Sequence, residues 1–253
     1  MDVIGIIPTR FGSRRFPGKP LAMIGGKPMV CHVYDRASIV LPGKVWVATD
    51  DARIYDVVVA HGGKAVMTSA DCKSGTERCC EALAQLNISP DVVVNIQGDE
   101  PFIAPEDISL LISEFENKDT EIATLARRFD PAEGFDALFS PDNVKLVMDK
   151  DNKALYFSRS IIPYVRDCQW QEWLSNSDFF IHIGLYGFSV NALKKVAMLP
   201  ASPLEQSERL EQLRWISNGC QIRVALTKSR SFGVDTPPDL EAACQYYSEL
   251  NKS

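Results

Sequence analysis

The chain of 253 residues is 45% hydrophobic and 24% charged with no dominant residue type, which excludes a collagen-like, coiled-coil or largely disordered protein. A chain of this length buries roughly 70–75% of the surface it exposes when unfolded, so its core needs no disulfide or metal staples. Asp and Glu outnumber Lys and Arg by 33 to 27, a net charge of −6, and without a run of basic residues nucleic acid is not the expected partner.

The four strands and the helices of the first half follow one another in strict alternation. Short β-branched runs at 3–7, 44–49, 64–67 and 92–96 read as buried strands bounded by turn residues. Met29, Val30, Val33, Tyr34 and Ala37 recur at helical spacing behind Pro28, placed in a first turn. Asp50-Asp51 caps a helix that runs to His61 and ends at Gly62-Gly63. Helices at 76–86 and 105–115 complete the pattern, which means a parallel sheet covered by helices.

The second half is mixed. Residues 144–148 and 154–157 read as a hairpin around Asp149-Lys150-Asp151-Asn152, with further strands at 179–189 and 222–226. Residues 203–216 and 238–250 read as helices, and the stretch 160–178, with Pro163, Trp170 and Trp173, as an irregular excursion. The reading is one continuous α/β domain with an inserted mixed subdomain near residues 130–205. The seven cysteines are scattered without a C-x-x-C pair or zinc-type spacing, as expected of reduced thiols in a cytoplasmic protein. No apolar run has the length of a signal-peptide core or a membrane span, so no membrane is expected as a partner.

Chemistry concentrates beyond the strand ends. After the first strand comes Pro8-Thr9-Arg10-Phe11-Gly12-Ser13-Arg14-Arg15-Phe16-Pro17-Gly18-Lys19-Pro20, at the edge where open α/β sheets place ligands. Glycines let backbone N–H groups approach phosphate oxygens while Arg and Lys neutralise them. The loop is neither a Walker A motif, since five residues separate Gly12 from Gly18 and Pro20 replaces the hydroxyl residue, nor a G-x-G-x-x-G fingerprint. A solvated basic loop is the plainer alternative. The fourth strand runs into Gln97-Gly98-Asp99-Glu100-Pro101, and Gly233-Val234-Asp235-Thr236-Pro237 supplies a second carboxylate. These suit a magnesium ion held by few protein carboxylates and several phosphate oxygens. Read blandly, Asp99 sits in a simple turn, and Asp235 or Thr236 caps the last helix.

Together with 8–21, the segments Val47-Ala48-Thr49-Asp50, Ser74-Gly75-Thr76-Glu77-Arg78, 95–101, Ala154-Leu155-Tyr156-Phe157-Ser158-Arg159, His182-Ile183-Gly184-Leu185-Tyr186-Gly187, Pro203-Leu204-Glu205-Gln206, 210–214 and 233–237 resemble the sugar nucleotidylyltransferases that make CMP-activated acid sugars, and among them the 3-deoxy-manno-octulosonate (Kdo) cytidylyltransferases. The resemblance runs from about residue 3 to 245. It implies a three-layer α/β/α Rossmann-like nucleotidyltransferase fold, glycosyltransferase-A-like, with a mixed, mainly parallel sheet and a small α+β dimerisation subdomain. It also implies the reaction of CTP with Kdo to give CMP-Kdo and pyrophosphate for lipopolysaccharide assembly, Mg²⁺ as cofactor, and a homodimer.

The resemblance assigns residues as well. Arg10 and Lys19, with Arg15 nearby, hold the triphosphate beside Pro8. Ala48, Asp50, Ser74, Gly75, Arg78 and Gln97 fall in the nucleotide pocket, and Asp99 and Asp235 correspond to the metal carboxylates. Gln97, Arg159, His182, Tyr186, Glu211 and Gln212 correspond to the sugar-acid pocket. Unaided, His182 reads as a core histidine in an alternating strand, and Glu211 as half of an i,i+3 pair with Arg214. Asp71-Cys72-Lys73-Ser74-Gly75-Thr76 carries a thiol where the family pattern has histidine, losing a good hydrogen-bond donor. Rival readings are transfer to a related acid sugar such as 8-amino-Kdo or a nonulosonic acid, a glycosyltransferase of similar architecture, and a silent nucleotide-binding regulator.

Overall fold

The computed structural model describes residues 1–12, 15–230 and 232–250; Ser13 and Arg14 of the basic loop lie outside the described residues. In chain order the elements are β1 (Val3–Thr9), β2 (Met23–Ile24), β3 (Lys27–Pro28), α1 (Met29–Val40), β4 (Val45–Thr49), α2 (Ala52–Ala60), β5 (Ala65–Met67), α3 (Gly75–Leu86), β6 (Val92–Asn95) and α4 (Pro105–Ser113). There follow β7 (Ile122–Arg128), α5 (Gly134–Phe139), β8 (Lys145–Met148), β9 (Ala154–Ser158), α6 (Trp173–Asn176), β10 (Phe180–Ser189), α7 (Val190–Ala197), α8 (Pro203–Glu208), α9 (Gln212–Ser217), β11 (Ile222–Thr227) and α10 (Pro237–Leu250).

The main sheet runs β11-β7-β10-β6-β1-β4-β5. Its strands are parallel except β10, which lies antiparallel between β6 and β7. The period-2 alternation of the strands divides their side chains between two cores. Ile7, Val92 and Val94 face a layer built from Val30 and Val33 of α1, Ile54 of α2 and Ile108 and Leu111 of α4. Ile4, Ile6 and Val93 face the opposite layer, with Cys79 and Leu83 of α3, Leu193 and Val196 of α7 and Trp215 of α9. The result is the expected mainly parallel α/β/α sandwich.

Caps follow the sequence closely. The Asp51 carboxylate accepts the Arg53 N–H at 2.9 Å to start α2, Ser74 Oγ accepts the Glu77 N–H at 3.1 Å to start α3, and Asn87 ends α3 at φ 50°. Pro28 stands at the N-cap of α1 rather than inside its first turn.

Other parts differ from the sequence reading. Strand β7, absent from it, sits centrally between β10 and β11. The single helix expected at 203–216 is two, because Arg209 turns left-handed at φ 55°; Arg214 of α9 folds back onto Glu205 of α8 in a two-point ion pair at 2.8 and 2.6 Å. The stretch 130–205 divides as well. Within it, β10 and α7 belong to the main sheet and its core, while the hairpin β8-β9 extends from β10. A separate apolar cluster of Phe129, Leu138, Phe179 and Ile181, with Trp173 against it, supports the excursion around α5 and α6.

Candidate active site

The end of β1 is the hub on which the site's loops are assembled. A Cβ added at Gly98 would lie 2.5 Å from Thr9 Cγ2 and 3.1 Å from the Pro8 carbonyl oxygen, so the loop after β6 can lie against β1 only because residue 98 is glycine. The basic loop closes on itself where Gly18, at φ 73°, donates its N–H to the Phe11 carbonyl at 2.9 Å. The Phe11 ring carries the Arg53 guanidinium 3.5 Å above its centre.

This closure delivers Lys19 to the strand ends. Its Nζ donates to Asp99 Oδ2 at 2.7 Å and to Asp235 Oδ1 at 2.9 Å, and Arg15 Nη2 donates to Asp235 Oδ2 at 2.8 Å. Burial works against the Lys19 charge, but the attraction and hydrogen bonds of the two carboxylates outweigh it and hold the ammonium above its ordinary pKa. Asp235 is not spent on capping α10. Asp239, in the helix's first turn, holds the residues before it instead, accepting from the backbone N–H groups of Asp235 and Thr236 and from Thr236 Oγ1 at 2.8–3.0 Å. Two carboxylates from separate loops therefore converge on one point that a cation occupies.

Two cavities meet at this point and share Arg15 and Asp235. The first, about 360 Å³, is lined by Pro8, Arg10, Lys19, Ser74, Gly75, Arg78, Gln97 and Asp99, which it brings onto one wall. Ala48 and Asp50 stand behind that wall. Ala48 is fully buried and contributes its carbonyl to Thr9 Oγ1 at 3.4 Å. Asp50 accepts from Arg78 Nη2 at 2.9 Å, and Arg78 also donates to Thr68 Oγ1 at 2.6 Å, so this nearly buried pair braces the start of α3. Cys72 lines the cavity too; its thiol donates to Glu81 Oε2 at 3.0 Å, and burial together with that carboxylate pushes its pKa up to about 12.

The second cavity, about 710 Å³, is lined by Arg159 and His182, and also by Arg127, Asp142, Asn143 and Asp239, which the sequence reading missed. Arg159 is held from two sides, Nε donating to the Glu208 carbonyl at 2.7 Å and Nη1 to the Pro141 carbonyl at 2.8 Å. The His182 ring stands edge-on to Phe157 at 5.1 Å, and burial lowers its pKa to about 3. Arg127 is gripped by both oxygens of Glu133 at 2.6 and 2.8 Å; the Arg127-Arg128 pair was its signal in the sequence.

The remaining sugar-pocket candidates do not line this cavity. Gln97 lines the first cavity instead. Tyr186 is buried between Phe188 and Trp215 in the core, and Gln212 is buried at the start of α9. Glu211 stands behind the first cavity's wall, accepting from Ser74 Oγ at 2.9 Å and Thr76 Oγ1 at 3.1 Å; burial raises its pKa against those bonds. Its expected partner Arg214 is instead taken by Glu205.

Among the described residues no three or more His, Cys, Asp and Glu side chains form a metal cage, and no helix is long and apolar enough to cross a membrane. The chain matches the family model described as cytidylyltransferase over residues 4–223. It is 50% identical over 247 residues to the 3-deoxy-manno-octulosonate cytidylyltransferase of Parabacteroides distasonis, covering 97% of this chain and 98% of that one. It is 45% identical to the 8-amino-3,8-dideoxy-manno-octulosonate cytidylyltransferase of a Shewanella species, covering 95% and 96%. The solved structure of CMP:2-keto-3-deoxy-manno-octonic acid synthetase complexed with CTP superposes with a TM-score of 0.89 at 40% identity, covering 99% of this chain and all of that one. With the strand-end loops, the paired carboxylates and these likenesses in agreement, the chain belongs to the cytidylyltransferase family.

Proposed function

We propose that the protein transfers CMP from CTP to the anomeric hydroxyl of Kdo, releasing pyrophosphate, as a cytoplasmic step of lipopolysaccharide assembly. The observation that carries this reading is the meeting of Lys19, Asp99 and Asp235 where the two cavities join. The anomeric hydroxyl oxygen attacks the α-phosphorus in line and releases its proton to solvent, the bond to the bridging oxygen breaks, and pyrophosphate takes the electron pair. Arg10, Arg15 and Lys19 neutralise the phosphate oxygens, so positioning and fixed charge supply most of the rate. Arg159 offers a planar fork to the sugar carboxylate.

Asp99 and Asp235 fit a magnesium ion. They are hard oxygen donors from two loops that already close on a single cation, the Lys19 ammonium, within 2.9 Å. Bound there with the triphosphate, Mg²⁺ would offset charge on the phosphate oxygens.

The test is pyrophosphate release with CTP and Mg²⁺, comparing Kdo with no sugar, sialic acid and 8-amino-Kdo. Release with Kdo above all others supports the proposal, and silence with every acid overturns it. A related amino sugar is the second reading, favoured by the Asp142 carboxylate on the larger cavity, which can meet an ammonium; better kcat/KM with 8-amino-Kdo would select it.

The same reading makes the protein a homodimer. Its support is the aromatic group on the excursion, Phe139, Tyr164 and Trp170, which are 48%, 75% and 44% exposed. The mass of the protein in solution tests this.

A further inference from the structure

Strands β7 and β10 pair in regular antiparallel register as far as Ile183 opposite Leu125, then slip so that Tyr186 stands opposite Thr124. Gly184 and Leu185 form the bulge. The slip turns two carbonyl oxygens onto one hydroxyl. Thr124 Oγ1, fully buried, lies 3.2 Å from the Ile183 carbonyl oxygen and 2.9 Å from that of Leu185. His182 Nε2 lies 3.0 Å from the same hydroxyl oxygen.

A hydroxyl has one proton and two lone pairs. Neither carbonyl can donate, so the hydroxyl proton goes to them, and aiming it at the imidazole would leave two buried carbonyls facing a bare oxygen. The ring nitrogen must therefore be the donor, with Nε2–H directed at Thr124 Oγ1. A neutral imidazole has one N–H, so Nδ1 is left as an acceptor, and it has no hydrogen-bond partner among the described residues. Burial keeps the ring neutral. The backbone N–H of His182 is fixed to the Val144 carbonyl at 2.8 Å, and the side chain lines the larger cavity.

We propose that Thr124 is a positioning residue that locks His182 into the Nε2–H tautomer, so that Nδ1 accepts a hydrogen bond from a hydroxyl of the acid sugar. The inference rests on reading the larger cavity as the acid-sugar site. Thr124 touches no substrate; it acts through the ring, and its place in β7 opposite the β10 bulge explains why a central strand carries a buried threonine between Ala123 and Leu125.

The experiment is ¹⁵N-edited NMR of the histidine side chains. The chain has three histidines, and single replacements of His32 and His61 leave the His182 signals identified. The bare-nitrogen resonance should belong to Nδ1, and Kdo should move that resonance while leaving Nε2 in place. Thr124→Val should yield a tautomer mixture and raise KM for the acid about tenfold, the loss of one neutral hydrogen bond, with KM for CTP unchanged. Thr124→Ser should restore both. A proton on Nδ1 in the wild type, a Nδ1 signal indifferent to the acid, or a Thr124→Val spectrum identical to wild type overturns the proposal. Should Thr124→Val not fold, the wild-type spectrum with and without acid decides alone. Failure to turn over any acid would sink the functional reading, whereas the tautomer of the free protein tests the lock independently.

Discussion

Val234 donates its backbone N–H to the carbonyl oxygen of Asp99 at 2.9 Å. This bond ties the loop after β6 directly to the segment before α10, so Asp99 and its neighbour in the site, Asp235, are held by backbone rather than by side-chain rotamers alone. Val234 is itself fully buried, in a small core with Ile24, Met29 and Ala243. Packing of α10 thereby fixes the separation of the two carboxylates, the pre-organisation that the proposed phosphate and metal site needs.

Replacing either carboxylate should cost chemistry and not fold. Asp99→Asn and Asp235→Asn keep side-chain volume, and neither removes the Val234 to Asp99 backbone bond. Turnover should fall by about 100- to 1000-fold, the order found when one stabilising group is removed from a pre-organised site. Pyrophosphate release measures it, with the far-ultraviolet circular dichroism unchanged. Rates near wild type in both variants would exclude them as metal carboxylates.

The meeting of Arg10, Lys19, Asp99 and Asp235 at the smaller cavity was legible because these residues carry chemistry that packing does not ask for: all follow strand ends or precede a helix. The lining of the larger cavity was less so. Tyr186 and Gln212 look polar in sequence but are buried in the core, and only tertiary packing reveals that. Strand β7 escaped notice because Ala123 and Ala126, small residues of weak strand preference, are tolerated where the strand is flanked on both sides and both faces are covered. The break at Arg209 has no glycine to announce it. It follows from long-range bonds, in which Glu208 accepts from Ser158 Oγ at 2.7 Å and from the Arg159 N–H at 2.9 Å, and these pull the end of α8 towards β9.

Those bonds make Arg159 a residue whose geometry matters as much as its charge. Its guanidinium spans the Glu208 and Pro141 carbonyls, a span that a single ammonium does not reproduce. Arg159→Lys should therefore raise KM for the acid about 10- to 100-fold while KM for CTP stays within about twofold. Steady-state kinetics with each substrate varied in turn measures both. A parallel rise in KM for CTP would place Arg159 in the nucleotide site instead.

His182 gives a pH signature with a definite sign. Its ordinary pKa of 6.5 falls to about 3 in the folded protein because burial disfavours the charged ring. The unfolded chain then takes up the proton first, so the stability this residue contributes is complete above pH 6.5 and is lost as pH falls towards 3. From pH 6.5 to 5 the loss is about 1–2 kcal/mol. His182→Gln lacks it, so the stability difference between wild type and variant should shift by that amount between urea denaturations at pH 7 and pH 5. A constant difference would mean that the ring titrates alike in the folded and unfolded states.

Cys72 should be chemically quiet despite lining the smaller cavity. Its thiol donates to Glu81 Oε2, and with the pKa pushed up to about 12 by burial and by that carboxylate the reactive thiolate is scarce at pH 8. Cys72→Ser preserves a donor to Glu81, so turnover should stay within about threefold of wild type, less than one neutral hydrogen bond. Iodoacetamide at pH 8 should leave Cys72 unmodified by peptide mass spectrometry during a period in which a free exposed thiol reacts fully. Rapid alkylation with matching loss of activity would show that the thiolate forms readily and that this cavity wall carries a reactive group.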